Sequence, residues 1–544
     1  MAKMTGGQAL VRSLKQYEID TIFGLPGVQL DNTFDALYEE QDSIKVLHTR
    51  HEQACAYMAF GYAASTGKVG TCLVVPGPGL LNATAALSTA YACNAPVLTL
   101  SGQIQSDLIE KGLGMLHEIP NQLQMIRSVT KWAARANHPT EVPGLIREAF
   151  KQLQTGRIRP VEFEMAPDIM GMEADVELLD PVMCYPEPEP DPDAIKAAAE
   201  LLGKAKNPVI FVGGGALDAG EELLNLAETL QAPVVMSSSG RGAVSDKHYL
   251  GHNMVGGQEL WRDADVVLAV GTRFTQPLTR WGIDDSVKVI RMDIDPEEIE
   301  RVSKPEVGIV TGAKTGLSQL ANDVARVNGK RASRKDEMLA LKEKVADMLF
   351  EVQPQASYAE VLREELPDDG ILVSEMTQMG YFSSVGFPVY NPRTFINSGY
   401  QGTLGFGFAT ALGVQVAHPD KKVISINGDG GFMFTVQELS TAVRHNIPLV
   451  TIVFSDGAYG NVRRIQKESY GGRTIASDLL NPNFQKLADS FGVAPFRAES
   501  PEALRTAIKE AYDINGPSLI EVPIGEVPGM GSILWRTPAA RQNR

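Results

Sequence analysis

Short apolar runs stopped by glycine, proline or asparagine, each followed by a stretch with helical spacing, recur from one end of this chain to the other. The region 421–463 shows the pattern most fully. An apolar run at 423–426 stops at Asn427-Gly428-Asp429-Gly430-Gly431. Thr435 and Glu438 stand at the spacing of a capping box, in which each side chain satisfies an N–H left unpaired at a helix start. Leu439, Ala442 and Val443 recur at helical spacing, the segment closes at His445-Asn446, and 449–454 reads as a second buried strand. Strand, helix and strand of this length predict one βαβ unit with parallel, adjacent strands. Asp429 and Asp456 then fall just past the carboxyl ends of those strands, where open α/β sheets bind ligands. Gly428, Gly430 and Gly431 let backbone come close to a bulky anion. Two carboxylates with backbone carbonyls suit a hard divalent cation holding phosphates, as Mg²⁺ does. An ordinary βαβ unit with solvated aspartates accounts for the same residues when they are taken alone.

The alternation continues elsewhere. Residues 21–24 read as a strand running into Leu25-Pro26-Gly27, and 46–48 as a short strand ending at Arg50-His51-Glu52. A helix follows at once, with Ala54, Met58, Ala59 and Tyr62 on its periodic face. Glu52 therefore sits at a strand end or first helical turn, where a carboxylate is favoured by the helix dipole whatever else it does. Next come a strand at 71–75, the turn Pro76-Gly77-Pro78-Gly79, a helix at 80–92 and a strand at 97–101 ending at Gly102-Gln103. Further on, 209–212 leads into Gly213-Gly214-Gly215, with Asp218 where a dinucleotide loop needs its third glycine, so a tight strand-to-helix turn is predicted. Residues 266–271, 287–294 and 371–374 are further buried strands. Two stretches read as linkers: the acidic, proline-rich 185–193, stiff and solvated, and the charge-dense 326–347, a connector with an exposed helix. Three α/β domains follow, at 1–180, 190–335 and 350–544, the third repeating the pattern of the first.

Composition narrows the setting. A chain of 544 residues, 44% hydrophobic, with mean hydropathy −0.09, can bury several cores. Its net charge of −16 argues against nucleic acid or an anionic membrane surface as partner. The first residues lack an apolar leader core and read as a helix. The longest apolar candidate, around 72–100, is interrupted by Pro76, Pro78, Asn82, Asn94 and Pro96, so no membrane span is predicted. Cys55, Cys72, Cys93 and Cys184 form no CxxC pair, which fits a reduced, cytoplasmic setting.

Gly428-Asp429-Gly430 followed by Asp456-Gly457-Ala458-Tyr459-Gly460 resembles the signature of thiamine diphosphate (ThDP) enzymes. More of the chain resembles the acetohydroxyacid (acetolactate) synthase, pyruvate oxidase and benzoylformate decarboxylase group. The matching stretches, in order, are 23–27, Arg50-His51-Glu52-Gln53, Gly77-Pro78-Gly79 with Asn82, Gly102-Gln103, 127–131, Thr377-Gln378 and 398–407. The resemblance implies three doubly wound parallel-sheet domains: pyrimidine-binding, central and diphosphate-binding. It implies Mg²⁺ on Asp429, Asp456 and the carbonyl of Ala458. It places Pro26, Glu52, Asn82, Thr377, Gln378, Gln401, Leu404, Gly428, Gly430, Gly431, Tyr459, Gly460 and Asn461 around ThDP, with Leu404 propping the bent cofactor. Glu52 would activate the cofactor, and Gln103 and His117 would line the substrate pocket; a surface-loop histidine is the other reading of His117.

The implied activity is decarboxylation of a 2-oxo acid and joining of the remainder to a second carbonyl, as in acetolactate synthase. The resemblance leaves open a decarboxylase, an aldehyde lyase, a 2-hydroxyacyl-CoA lyase, or a ThDP-fold binding protein without catalysis. Three departures bear on the choice. Ser455-Asp456 replaces the usual Asn-Asn, Arg273-Phe274-Thr275-Gln276-Pro277 lacks the second arginine of the synthases' central-domain run, and Ile465 stands where those enzymes carry tryptophan. The central block takes FAD in some members of the group and ADP in others, and both stay open here. Because Glu52 and the diphosphate anchors fall in different domains, a homodimer or dimer of dimers is implied.

Overall fold

The computed structural model describes residues 1–534, so the last ten residues of the third predicted domain lie outside the described part. Three six-stranded sheets, each parallel throughout, carry the fold. The first runs Lys45–His48, Thr21–Gly24, Gly70–Val74, Val97–Gly102, Val161–Met165, Trp132–Ala136. The central one runs Gly251–His252, Val234–Met236, Pro208–Val212, Val266–Val270, Lys288–Asp293, Val307–Val310. The third runs Phe395–Asn397, Ile371–Ser374, Val423–Gly428, Val450–Ser455, Ser518–Pro523, Ala494–Arg497. Numbered by chain order within each sheet, the first and third share the order 2-1-3-4-6-5, while the central sheet has the dinucleotide-fold order 3-2-1-4-5-6. The strand order thus repeats between the first and third units, as the repeating sequence pattern predicts.

Strand order reverses between Thr21–Gly24 and Gly70–Val74 in the first sheet, and between Ile371–Ser374 and Val423–Gly428 in the third. Ligand crevices of doubly wound sheets open at such points, outside the carboxyl ends of the strands. The segments leaving those four strands carry Pro26, Gly77, Thr377 and Asp429. In the central sheet the corresponding turn packs backbone against backbone. Gly213 N–H donates to the Val270 carbonyl at 3.1 Å and Gly215 N–H to the Gly271 carbonyl at 3.1 Å. This is the tight turn that the sequence predicts.

The first and third units share one apolar core. Helix Glu52–Thr66 lies against helix Gly407–Ala417, and both are apolar nearly all round, as helices buried on every side must be. Glycines set the spacing: a Cβ on Gly61 would stand 2.2 Å from the Thr410 carbonyl oxygen, and one on Gly413 would stand 2.0 Å from that of Met58. The Tyr57 and Phe406 rings meet edge to face, with centroids 5.8 Å apart.

Two local expectations are corrected. The Thr435–Glu438 capping box does not form: Thr435 makes no side-chain cap and its hydroxyl is buried without a partner. The Glu438 carboxylate is drawn off to the first unit, accepting the Arg50 N–H at 3.0 and 3.2 Å. A capping box does form at Thr5–Gln8, where each side chain accepts the other residue's backbone N–H at 3.0–3.1 Å. That helix, Gly6–Gln16, is the predicted first helix, but a strand, Ala2–Thr5, pairing antiparallel with Glu173–Val176, precedes it, so the helix begins later than predicted. Among the described residues no helix is long and apolar enough to cross a membrane.

Candidate active site

The residues singled out by the sequence gather into two groups, one on each of the sheets that share a strand order. In the first, Glu52 opens helix Glu52–Thr66 behind His51, whose ring Nδ1 accepts the Gln53 N–H at 3.2 Å. Glu52 Oε2 accepts from Asn82 Nδ2 at 3.0 Å. Its Oε1 faces the 76–79 turn, where a Cβ on Gly79 would stand 3.3 Å away. The turn itself requires glycine at 77, with φ +59°, and a Cβ there would stand 2.1 Å from the His117 carbonyl oxygen.

Gln122, which the sequence did not single out, holds this turn. Its side-chain carbonyl accepts the Gly77 N–H at 2.8 Å, while its amide donates to the Gly102 carbonyl at 3.0 Å and to Glu164 Oε2 at 2.7 Å. Gln103 is buried, donating weakly to Glu164 Oε1 at 3.4 Å and accepting the Ile104 N–H at 2.8 Å. Arg135 pairs with the same Glu164 carboxylate. His117 is half-buried, at φ +67°, with Nδ1 3.1 Å from Gln29 Oε1. Glu52, Asn82, Gln103 and His117 are therefore brought together around the 76–79 turn. Pro26 is exposed beyond strand Thr21–Gly24.

In the third unit Asp429 is 2% exposed. Its carboxylate accepts the N–H of Gly430 at 2.9 Å, that of Gly457 at 2.8 Å and Asn481 Nδ2 at 2.6 Å. Burial raises its carboxyl pKa, and these donors oppose the rise. Asp456 lies beside it, Oδ1 accepting the Ala458 N–H at 3.0 Å. Burial first, and then the charge of Asp429, push the Asp456 carboxyl up to about 6. Two carboxylates that repel each other in this way are what a divalent cation relieves. The loop that carries Ala458 is held in place as well. Ala458 faces Asp478 in an isolated antiparallel bridge, whose hydrogen bonds run from Tyr459 N–H to the Ser477 carbonyl and from Leu479 N–H to that of Gly457. Neither bond uses the Ala458 carbonyl. The donor set thus fits Mg²⁺.

Around this pair stand Thr377, at the N-cap of helix Gln378–Gly386 and packed on Gly428, and Gln378, whose amide donates to Asn461 Oδ1 at 3.4 Å. The Gln378 side-chain oxygen is buried without a partner, an acceptor waiting for a donor. The Tyr459 ring lies where a side chain on Gly430 would go, and a Cβ on Gly460 would stand 2.1 Å from Asp456 Oδ2. Gln401 is exposed and Leu404 half-buried. Next to Leu404, Gly405 N–H donates to Glu375 Oε1 at 2.7 Å. Burial pushes the Glu375 carboxyl up to about 7, against the pull of nearby backbone N–H groups. The helix Gly460–Ser469 that follows the Asp456 loop buries none of its residues.

Glu375, Asn481 and Gln122 were missed. An acid directly after an apolar run, as Glu375 follows 371–374, is a usable signal. Asn481 offers none, because it reaches Asp429 across 52 positions of sequence.

Three family models match in order: the thiamine pyrophosphate enzyme N-terminal TPP binding domain over residues 4–125, the central domain over 195–320 and the C-terminal TPP binding domain over 376–522. Similar proteins include a probable acetolactate synthase large subunit of Methanococcus aeolicus, 33% identical over 96% of this chain and 92% of that protein. The acetolactate synthase large subunit of Haemophilus influenzae is 32% identical over 94% and 93%. A probable 2-ketoarginine decarboxylase of Pseudomonas aeruginosa is 32% identical over 95% and 94%.

Proposed function

The chain belongs to the thiamine pyrophosphate enzymes, and from that premise we propose that it decarboxylates a 2-oxo acid and joins the remainder to a second carbonyl compound. Thiamine diphosphate (the same compound as thiamine pyrophosphate) would be held with Mg²⁺. The observation that carries this reading is the Asp429–Asp456 pair beside the glycine turn at the third sheet's point of reversal. When bound, ThDP supplies the electron sink that lets a 2-oxo acid lose CO₂. Asp429, Asp456 and the Ala458 carbonyl would hold the metal. Thr377, Gln378, Gln401, Gly428, Gly430, Gly431, Tyr459, Gly460 and Asn461 would surround the diphosphate side, and Leu404 would support the bend. Pro26 and Asn82 would stand on the pyrimidine side. Glu52, oriented by Asn82, would accept and return a proton at Oε1. Gln103 and His117 would border the substrate.

A screen of purified protein with ThDP and Mg²⁺ over several 2-oxo acids tests the proposal. The expected result is CO₂ release together with a carboligation product; no CO₂ from any of them would sink it. The second reading, decarboxylation alone, is favoured by the relative named as a 2-ketoarginine decarboxylase and by Ile465 in place of tryptophan. CO₂ with an aldehyde as sole organic product would select it. In the central domain the Gly213 and Gly215 N–H groups are spent inside the fold and are not offered to a flavin or an ADP phosphate. The absorbance spectrum of the purified protein is the test for a flavin.

The departure at Asp456 yields a further expectation. Asp456→Asn removes the repulsion with Asp429 and keeps an oxygen ligand, so ThDP and Mg²⁺ should be retained as well or more tightly. Titration by cofactor-induced fluorescence change would measure it, and loss of the cofactor would exclude Asp456 as a ligand.

Assembly follows from the same division. Exposed apolar side chains flank both groups: Val28, Leu81, Leu113 and Leu116 in the first unit, Phe434, Val462, Ile475 and Leu480 in the third. Such surface is what a second copy covers. A homodimer, alone or as a dimer of dimers, would then close each site with Glu52 of one copy and Asp429 of the other. Mixing inactive Glu52→Gln and Asp429→Ala proteins under subunit exchange should restore about a quarter of wild-type activity at random pairing. No recovery despite proven exchange would put both groups to work within one chain.

A further inference from the structure

We propose that Glu375 is a positioning residue: its buried carboxylate ties together the three loops that would grip the diphosphate side of the cofactor. The inference rests on the reading of the third unit as a ThDP site. Glu375 follows strand Ile371–Ser374 directly, at the point where the sheet order reverses, and is 2% exposed. Its own loop continues into Thr377 and Gln378. The second loop is held through the Gly405 N–H at 2.7 Å, one residue past Leu404, and the N–H groups of Phe406 and Gly407 are turned to the same carboxylate. The third loop is the Gly428–Gly431 turn. There the Gly428 N–H faces the carboxylate, and Glu375 Oε1 occupies the space of a Gly431 side chain, 2.4 Å from where its Cβ would be.

Packing and charge both point to a carboxylate rather than any side chain of this size. A Cβ on Gly407 would stand 2.8 Å from the Glu375 Cβ, so the neighbouring glycines are shaped around it. The N–H groups aimed at it come from different loops, and a carboxylate accepts from them more strongly than a neutral side chain would. The cost of burying that anion is accepted although Oε2 has no hydrogen-bond partner. Among the described residues Glu375 pairs with no arginine or lysine, so its ties are to the backbone of the site itself. An amide of the same shape at 375 would turn one N–H donor against those N–H groups and loosen the loops.

The test compares wild type, Glu375→Gln and Glu375→Asp in three measurements: ThDP affinity at saturating Mg²⁺ by fluorescence titration, melting of the cofactor-free protein, and amide exchange of the cofactor-free protein. Glu375→Gln should weaken ThDP about tenfold or more, as removal of an outer-shell partner does, while the melting temperature changes little. Glu375→Asp, which keeps the charge, should recover most of the affinity. Amide exchange at Gly405 should be slow in wild type and at least about tenfold faster in Glu375→Gln, with the central sheet unchanged. Wild-type affinity in Glu375→Gln would overturn the proposal. If Glu375→Gln does not fold, fast exchange of Gly405 in the wild-type protein would overturn it. A wild-type protein that binds no ThDP would instead overturn the reading on which the proposal rests.

Discussion

Glu52→Gln is expected to bind ThDP almost normally and to lose roughly 10²–10⁴-fold in turnover, the span typical of positioned acid–base groups. The substitution is nearly isosteric. Its carbonyl oxygen can still accept from Asn82 Nδ2, which is 3.0 Å from Oε2 in the wild type, so the 76–79 turn keeps its support. What disappears is the capacity to take up and return a proton at Oε1. Glu164, the other carboxylate tied to this turn, is not free to substitute, because it is held by Arg135, Gln103 and Gln122. The measurement is kcat on the best 2-oxo acid beside the ThDP dissociation constant. Near wild-type kcat would remove Glu52 from the chemistry, and a large change in affinity with kcat intact would make it a binding residue only.

Asp429→Ala is expected to abolish retention of ThDP through gel filtration at roughly micromolar Mg²⁺, a loss of about 100-fold or more in affinity. The reason is compound. A metal ligand is removed, and three donors, the Gly430 and Gly457 N–H groups and Asn481 Nδ2, lose their acceptor. The loop bearing Asp456 and Ala458 is held to strand Val423–Gly428 in part by that Gly457 bond, so the remaining ligands lose their placement as well. Asp429→Asn separates the two causes, since it keeps an acceptor but lowers the charge. It should bind ThDP more weakly than wild type and more tightly than Asp429→Ala. Retention of the cofactor by Asp429→Ala would place the metal elsewhere.

Local signals made much of this arrangement legible in the sequence. Strands 21–24 and 371–374 were read at their bounds, the first because its apolar run met Leu25-Pro26-Gly27 and the second because its run began after Gly370 and ended in polar residues, and Asp429 and Asp456 stood at the ends of paired strands. Partners distant in sequence decided what stayed hidden. Strand Val161–Met165 carries Glu162 and Glu164, acids that break the apolar signal, yet both are fully buried. Ser101 donates to Glu162, and Arg135 and Gln122 to Glu164, contacts that no sequence window contains. Burial, with the charge of Glu164 next, holds the Glu162 carboxyl well above the usual carboxylate range. The same cause separated the two capping boxes. Thr5–Gln8 is free to close on itself, whereas Glu438 is taken by Arg50 from another sheet. Gln122 and Asn481 belong with these, each defined by what it reaches across the fold.

Hydrogen–deuterium exchange at C2 of ThDP bound with Mg²⁺, stopped in acid and read by proton NMR, tests directly whether this chain is a ThDP catalyst driven by Glu52. Exchange on the wild-type protein should exceed that of free ThDP by at least about 100-fold and fall back by a comparable factor in Glu52→Gln. Exchange at the free-cofactor rate, in wild-type protein shown to hold ThDP, would contradict the account and leave a binding protein built on this fold.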